Sequence, residues 1–238
     1  MEVAPGVHRL GTSFVNFYVI EDGGRLTVVD AGLPGYRRFL MEFLDSSGKK
    51  PGDIEAVVLT HAHVDHIGFS EHLRSNQHTR VLVHEDDVAL ATGREKARIP
   101  LGPIWRPMLL RYLAHGLAYK GFSFPTVLEV AAFDDGEVLD LPGRLQVIHA
   151  PGHTKGSCVL RFGNVLLAGD VLATVDITTG EVGPRIGPSF VNVDSEQALR
   201  SLDRLVGLDF DTVLVGHGDP WTDGIDEAVR QARQVGIW

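Results

Sequence analysis

Cysteine is nearly absent: Cys158 is the only one in 238 residues. That excludes an internal disulfide framework and any cysteine-rich zinc module. No run of about eighteen apolar residues is present, which excludes a transmembrane helix. Met1 to Leu10 lacks a basic head followed by an apolar stretch, so no signal peptide is expected and a cytoplasmic location is the default. Cations are also in deficit. Lys and Arg number 22 against 31 Asp and Glu, a formal charge of −9. That balance argues against broad adhesion to nucleic acid or to an anionic membrane, although a local basic patch stays open. The expected partner is a small-molecule substrate, and the oligomeric state is left undecided.

What is present is an ordinary globular composition, 44% hydrophobic and 22% charged. The length suits one large α/β domain covering 1–238, with enough chain to bury a full core. Val15 to Ile20 and Leu26 to Asp30 read as strands joined by the Asp22-Gly23-Gly24 turn, a hairpin signal. Tyr36 to Leu44 has helical apolar spacing, ended by Gly48. Ala56 to Thr60 and Arg80 to Val83 read as strands, His66 to Asn76 and Glu85 to Thr92 as helices. Residues 100–121 form an apolar helical insertion with Trp105, Tyr112 and Tyr119, read as a cover over a site rather than as core. Further strands are expected at Thr126 to Val130, Glu137 to Leu141, Leu145 to Ala150, Cys158 to Phe162, Val165 to Ala168 and Thr212 to Val215. Asp194 to Val206 reads as a helix with Asp194 as cap and Gln197 three residues on, a capping-box variant, and Asp223 to Gln234 as a last helix. Two strand-rich halves with helices behind each suggest two sheets packed face to face between helical layers.

Histidine is the informative residue. Of 11, three fall in the run Thr60-His61-Ala62-His63-Val64-Asp65-His66, directly after an apolar strand. Extended backbone puts His61 and His63 on the same side. Asp65 and His66 lie where the chain turns into a helix, so they diverge from that pair. Ligands pointing in two directions suit two adjacent ions better than one, and one ion here would lack a full ligand set. Three later places repeat the grammar of a strand, a Gly-rich turn and a ligand: Ala150-Pro151-Gly152-His153-Thr154, Ala168-Gly169-Asp170 and Val215-Gly216-His217-Gly218.

These four motifs in this order resemble the metallo-β-lactamase-fold hydrolase superfamily, and the likeness runs from Asp30 to His217. It implies a four-layer αββα sandwich of two mixed β-sheets flanked by helices, with the site at one edge between the sheets. It also implies that His61, His63 and His153 hold a first metal ion, that Asp65, His66 and His217 hold a second, and that Asp170 bridges them. Asp30 matches the family's early aspartate, which orients the ligand loop. Two divalent ions per chain follow, zinc first, with iron or manganese compatible with imidazole and carboxylate donors.

The implied chemistry is hydrolysis of a carbonyl ester, thioester or lactone by a hydroxide made from water between the ions. Asp65 and Asp170 are the candidate catalytic carboxylates, with Asp65 moving a proton from the water to the leaving atom. Trp105, Tyr112 and Tyr119 are the candidate substrate-binding residues. The Pro-Gly-His-Thr and Gly-Asp motifs are similar to those of glyoxalase II. Only 21 residues follow His217, so the glutathione-binding helical region of larger members is not expected. The lactonase-like members share the Asp bridge and an apolar cover. Alternatives are a mononuclear-iron persulfide dioxygenase-like enzyme, or a phosphodiesterase or nuclease of the same fold. His8, His72, His78, His84, His115 and His149 are read as ordinary core or surface residues, His84 with an outside claim to support a ligand. Cys158 is read as a buried strand residue.

Overall fold

The computed structural model describes residues 1–96 and 107–238. Trp105 and the opening part of the apolar insertion lie outside the described residues. The first half contains β1 (Glu2–Ala4), β2 (Val7–Gly11), β3 (Asn16–Asp22), β4 (Arg25–Val29), α1 (Arg37–Ser47), β5 (Ile54–Val58), α2 (Val64–Ile67), α3 (Ser70–Gln77), β6 (Arg80–His84), α4 (Val88–Ala91), α5 (Pro107–Ala118) and β7 (Ala131–Phe133). The second half contains β8 (Gln146–His149), β9 (Cys158–Phe162), β10 (Val165–Gly169), β11 (Ala173–Val175), β12 (Val182–Arg185), α6 (Ser195–Ser201), β13 (Thr212–Val215) and α7 (Ile225–Val235). No helix among the described residues is long and apolar enough to cross a membrane.

Strands β1 to β7 form one sheet in sequence order. It is antiparallel from β1 to β4 and parallel from β4 to β7. The second sheet runs β13-β10-β9-β8, with β13 parallel to β10 and the other pairs antiparallel. Strands β11 and β12 pair as a separate ribbon.

The period-two alternation of side chains assigns each face. On β3, Phe17 and Val19 join Leu40 and Leu44 of α1 in one core, while Tyr18 and Ile20 face the other sheet. On β10, Val165 and Leu167 point back at Ile20 and Val58, whereas Leu166 and Ala168 pack on Leu202, Ala228 and Val229 behind the second sheet. Three apolar layers therefore separate four layers of structure, an αββα sandwich. Leu160 and Leu214 are fully buried in the middle layer, and each such side chain contributes about 1.5–3 kcal/mol.

Several local expectations need correction. The expected helix from His66 is two short ones, because the Ala31 backbone cuts across the break: Ala31 N–H donates to His66 O and Phe69 N–H to Ala31 O. Thr126 to Val130 is not a strand. Val127 N–H donates to Ala91 O instead of to a sheet, and the pairing falls on Ala131–Phe133 beside β6. Glu137 to Leu141 makes only an isolated bridge, Val138 with Gln146, because the chain folds back at once and Leu139 N–H donates to Leu145 O. Asp194 does cap α6, its Oδ1 accepting Gln197 N–H at 2.8 Å. The Gln197 side chain reaches Ser201 rather than the cap, so half of the expected box exists. Strands β1, β2, β7, β11 and β12 carried no clear sequence signal.

One edge of the sandwich collects the strand ends that matter. Because β8, β10 and β13 share a direction, the segments leaving them, Pro151–His153, Asp170 and Gly216–His217, emerge together. Asn16 N–H donates to Gly216 O, and Cys158 N–H donates to Thr60 O. These two bonds seat that edge against the turn after β5.

Candidate metal centre and substrate pocket

Asp30 follows β4 in a left-handed backbone conformation with φ of 61°, uncommon for a residue with a side chain. Its carboxylate accepts Thr60 N–H at 2.8 Å, the Thr60 hydroxyl at 2.9 Å and His66 Nδ1–H at 2.9 Å. The bond to Nδ1 settles the His66 tautomer and leaves Nε2 turned towards Asp170 Oδ1, 3.4 Å away. The same device recurs on two more imidazoles. His153 Nδ1 donates to Asn192 Oδ1 at 2.9 Å, and His217 Nδ1 donates to the Phe14 carbonyl at 2.6 Å. In each case the other nitrogen, Nε2, is turned towards the Asp170 carboxylate.

His61, His63 and His153 bring one nitrogen each to within 4.8 Å of one another. Their ring planes are nearly perpendicular in all three pairs, at 82°, 81° and 76°, so in-plane lone pairs meet at a point. Asp65, His66 and His217 form a second group whose ligand atoms lie equally close together. Asp170 lies between them. Its Oδ2 is 3.4 Å from His153 Nε2, 3.9 Å from His61 Nε2 and 3.0 Å from His217 Nε2.

The donor set fits divalent ions on a direct observation. His61 Nε2, His66 Nε2 and Asp170 Oδ1 are buried and have no hydrogen-bond partner among the described residues. Buried polar atoms are almost always satisfied, and three orphans facing one space are the mark of a cation site. Electrostatics agree. Burial, followed by the neighbouring imidazoles, holds His61 well below the usual histidine range and His63 at about 3, so both offer neutral lone pairs. Burial would raise the Asp65 and Asp170 carboxyls, but hydrogen bonds and charge from His217 and His66 outweigh it, and both are ionised at neutral pH. The same carboxylates reverse the effect of burial on His217 and lift it to about 10. The centre attracts positive charge.

A further group, His84, Asp86 and His149, is as close-set but lacks the geometry. The two imidazoles stack nearly parallel, 14° apart with centroids 3.9 Å apart, so their lone pairs run side by side and cannot share an ion. His84 Nδ1 accepts the Asp86 N–H, and among the described residues His84 has no hydrogen bond to a ligand side chain. His115 is bonded to Tyr36 Oη at 2.6 Å, a structural partner. Cys158 is buried on its strand.

His63, Asp65, His153, Asp170 and His217 form the floor of a cavity of about 230 Å³, and His61 and His66 lie behind them. Its walls are mainly apolar: Leu33, Leu109 and Leu113 on one side, and Ile177, Ile186, Phe190 and Trp238 on the other. No lysine or arginine is among the described residues that line it. Tyr112, on α5, lines the cavity and donates its hydroxyl to Asp65 Oδ2 at 2.6 Å. Burial and then the Asp65 charge push that phenol well above its ordinary range, so it stays a donor. Tyr119 is elsewhere. Helix α5 ends at Ala118, and the Tyr119 carbonyl accepts Gly35 N–H. Its ring is thereby turned onto Tyr36 and Phe39, with Arg38 donating to its hydroxyl, so Tyr119 does not line the cavity.

Asn192, the Phe14 carbonyl and the wall from Ile186 to Phe190 carried no signal in the sequence. A lone Asn and a backbone oxygen look alike in every loop, and the apolar wall is assembled from segments distant in the chain.

Comparison with known proteins gives a consistent picture. A family model described as the metallo-beta-lactamase superfamily matches residues 10–217. The probable metallo-hydrolase YflN of Bacillus subtilis is 29% identical over 235 residues, covering 93% of this chain and 87% of that protein. A metallo-beta-lactamase family protein of Thermus thermophilus superposes with a TM-score of 0.72 at 27% identity, covering 98% of this chain and 80% of that one. The di-iron-bound form of TTHA1623 superposes with a TM-score of 0.62 at 26% identity, covering 92% of this chain and 96% of that one.

Proposed function

This chain belongs to the metallo-β-lactamase superfamily, and on that premise we propose that it is a binuclear metal-dependent hydrolase of uncharged esters, thioesters or lactones with an apolar acyl group. The observation that carries the reading is the seven-residue His and Asp centre at the floor of an apolar cavity without a cationic side chain among its described lining residues. Substrates whose recognition depends on phosphate or carboxylate groups would meet no Lys or Arg among the described lining residues. That favours acyl chemistry over phosphodiester or nuclease chemistry.

His61, His63 and His153 would hold one ion, Asp65, His66 and His217 the other, with Asp170 shared. Five imidazoles and two carboxylates without thiolate suit zinc, and also iron or manganese; zinc is the proposed native metal. When bound, such ions lower the pKa of water and polarise a carbonyl oxygen. The residues of the chain do the rest. Asp65, ionised beside His217, accepts the proton of the attacking water and returns it to the leaving oxygen or sulfur as the acyl bond breaks. The Tyr112 hydroxyl orients Asp65 and faces the space where the substrate carbonyl must lie. Leu109, Leu113 and Ile186 keep bulk water from the acyl group, which strengthens every electrostatic contact at the floor.

The test is a hydrolysis panel on metal-loaded protein covering thioesters, lactones, carboxyl esters, β-lactams and phosphodiesters, with elemental analysis and oxygen uptake in parallel. Expected are two ions per chain, turnover of apolar acyl substrates, loss of turnover on chelation and no oxygen uptake. About one iron per chain with oxygen consumption would replace the hydrolase with an oxygenase. Turnover of phosphodiesters alone would overturn the acyl assignment.

A further inference from the structure

Asp87 is a buried carboxylate with no part in the chemistry above. It follows β6 at the entrance to α4, in a segment the sequence marks only as helical. Its Oδ2 accepts Ala62 N–H at 3.0 Å and the Thr154 hydroxyl at 2.8 Å, and its Oδ1 accepts Gly156 N–H at 2.8 Å. Ala62 sits between His61 and His63, and Thr154 follows His153. A single side chain thus spans the two turns that deliver the three converging imidazoles. The fit is tight: a Cβ on Gly156 would come within 2.7 Å of the Asp87 backbone nitrogen and Cβ. Burial raises the Asp87 carboxyl, while the bonds from Thr154, Gly156 and Ala62 pull it down. Asp87 has no contact with Asp65, His66 or His217 among its hydrogen bonds.

We propose that Asp87 is the positioning residue of the three-imidazole group, fixing the gap between the Thr60–His66 turn and the Pro151–Thr154 turn so that His61, His63 and His153 meet at one ion. The inference rests on the metal-centre reading above. A carboxylate only accepts, whereas an amide has one acceptor and one donor. In Asp87→Asn, whichever way the amide turns, its NH₂ confronts the N–H of Ala62 or of Gly156. The variant keeps the volume of the side chain and breaks one of the links.

Zinc affinity is measured by chelator competition on metal-free and reloaded protein, and cobalt substitution reports the ligand field of each ion. Expected for D87N is a loss of about 10–100-fold at one ion with an altered cobalt spectrum, while the other ion keeps its affinity. Thr154→Val, which removes one link and leaves Asp87 in place, shows a smaller loss at the same ion. Wild-type affinity and spectrum at both ions in both variants overturn the proposal, as does equal weakening of both ions. If D87N does not fold, T154V decides alone: a loss at one ion supports the assignment and no loss overturns it. Failure of the wild-type chain to bind any ion would instead overturn the metal-centre reading, so the two failures are distinguishable.

Discussion

Replacing Gly216 with alanine adds one methyl group at the centre of the site. A Cβ there would lie 2.6 Å from His66 Cε1 and 3.2 Å from His66 Nε2, and closer still to Asp170 Oδ1. Ordinary carbon contacts begin near 3.4 Å, so His66 must yield by roughly 0.8 Å and Asp170 by more. The backbone cannot give way. Gly216 N–H donates to Gly169 O and Gly216 O accepts Asn16 N–H, both at 2.8 Å, which pins the residue to both sheets. His66 is itself tied to Asp30. The displacement therefore falls on the His66 ring and on Asp170, the carboxylate that lies between the two groups. A misplacement of about 1 Å at a reacting centre costs on the order of 10²-fold in rate. Overpacking a tight core costs about 1–3 kcal/mol in stability. The assay is kcat on the best substrate of the panel, with metal content and thermal midpoint for the same preparation. Gly52→Ala is the control, since a Cβ there meets nothing within 4 Å and its stability should stay within about 0.5 kcal/mol of wild type. A G216A protein with full activity, two ions and an unchanged midpoint would refute the placement of Asp170 and His66.

Two further outcomes follow from the same geometry. In Tyr112→Phe, Asp65 loses a hydrogen bond to a charged acceptor, an interaction of about 1.5–3 kcal/mol. Turnover should fall about tenfold or more with metal content retained, and an unchanged kcat on every substrate would remove Tyr112 from the site. The His84–His149 stack predicts acid sensitivity outside the centre. Burial, followed by the charge of His149, holds His84 below its ordinary 6.5 in the fold. Above pH 6.5 folded and unfolded chains are both neutral there. Below it the unfolded chain takes the proton first, so stability falls as pH falls towards the folded pKa. His84→Phe keeps an aromatic ring on His149 and should flatten that slope at equal metal loading, as read by denaturant midpoints between pH 7 and 5. An unchanged slope would assign the acid sensitivity to other groups.

Much of this centre is readable in short stretches of the sequence. Thr60 to His66, Pro151-Gly152-His153, Gly169-Asp170 and Gly216-His217 each combine an apolar strand with a turn and a ligand-type side chain, a local pattern. The Gly23-Gly24 hairpin and the strands β9, β10 and β13 were legible for the same reason, since period-two alternation and turn chemistry are properties of a short stretch. Thr126 to Val130 misled because an apolar run does not say which partner will receive its backbone, and Ala91 captured Val127 N–H.

Sequence alone thus determined the residue types of the centre and the sandwich that carries them, because donor chemistry and strand periodicity are written locally. Only the tertiary structure decided which nitrogen of His66, His153 and His217 faces inward, since that depends on Asp30, Asn192 and the Phe14 carbonyl arriving from elsewhere in the chain. It alone separated the perpendicular His61, His63 and His153 from the stacked His84 and His149. It also turned Tyr112 into the cavity and Tyr119 away from it, because one helix stops at Ala118 and the backbone of Gly35 is waiting there. Ring orientation and helix termination are settled by contacts between distant segments, and those exist only once the chain has folded.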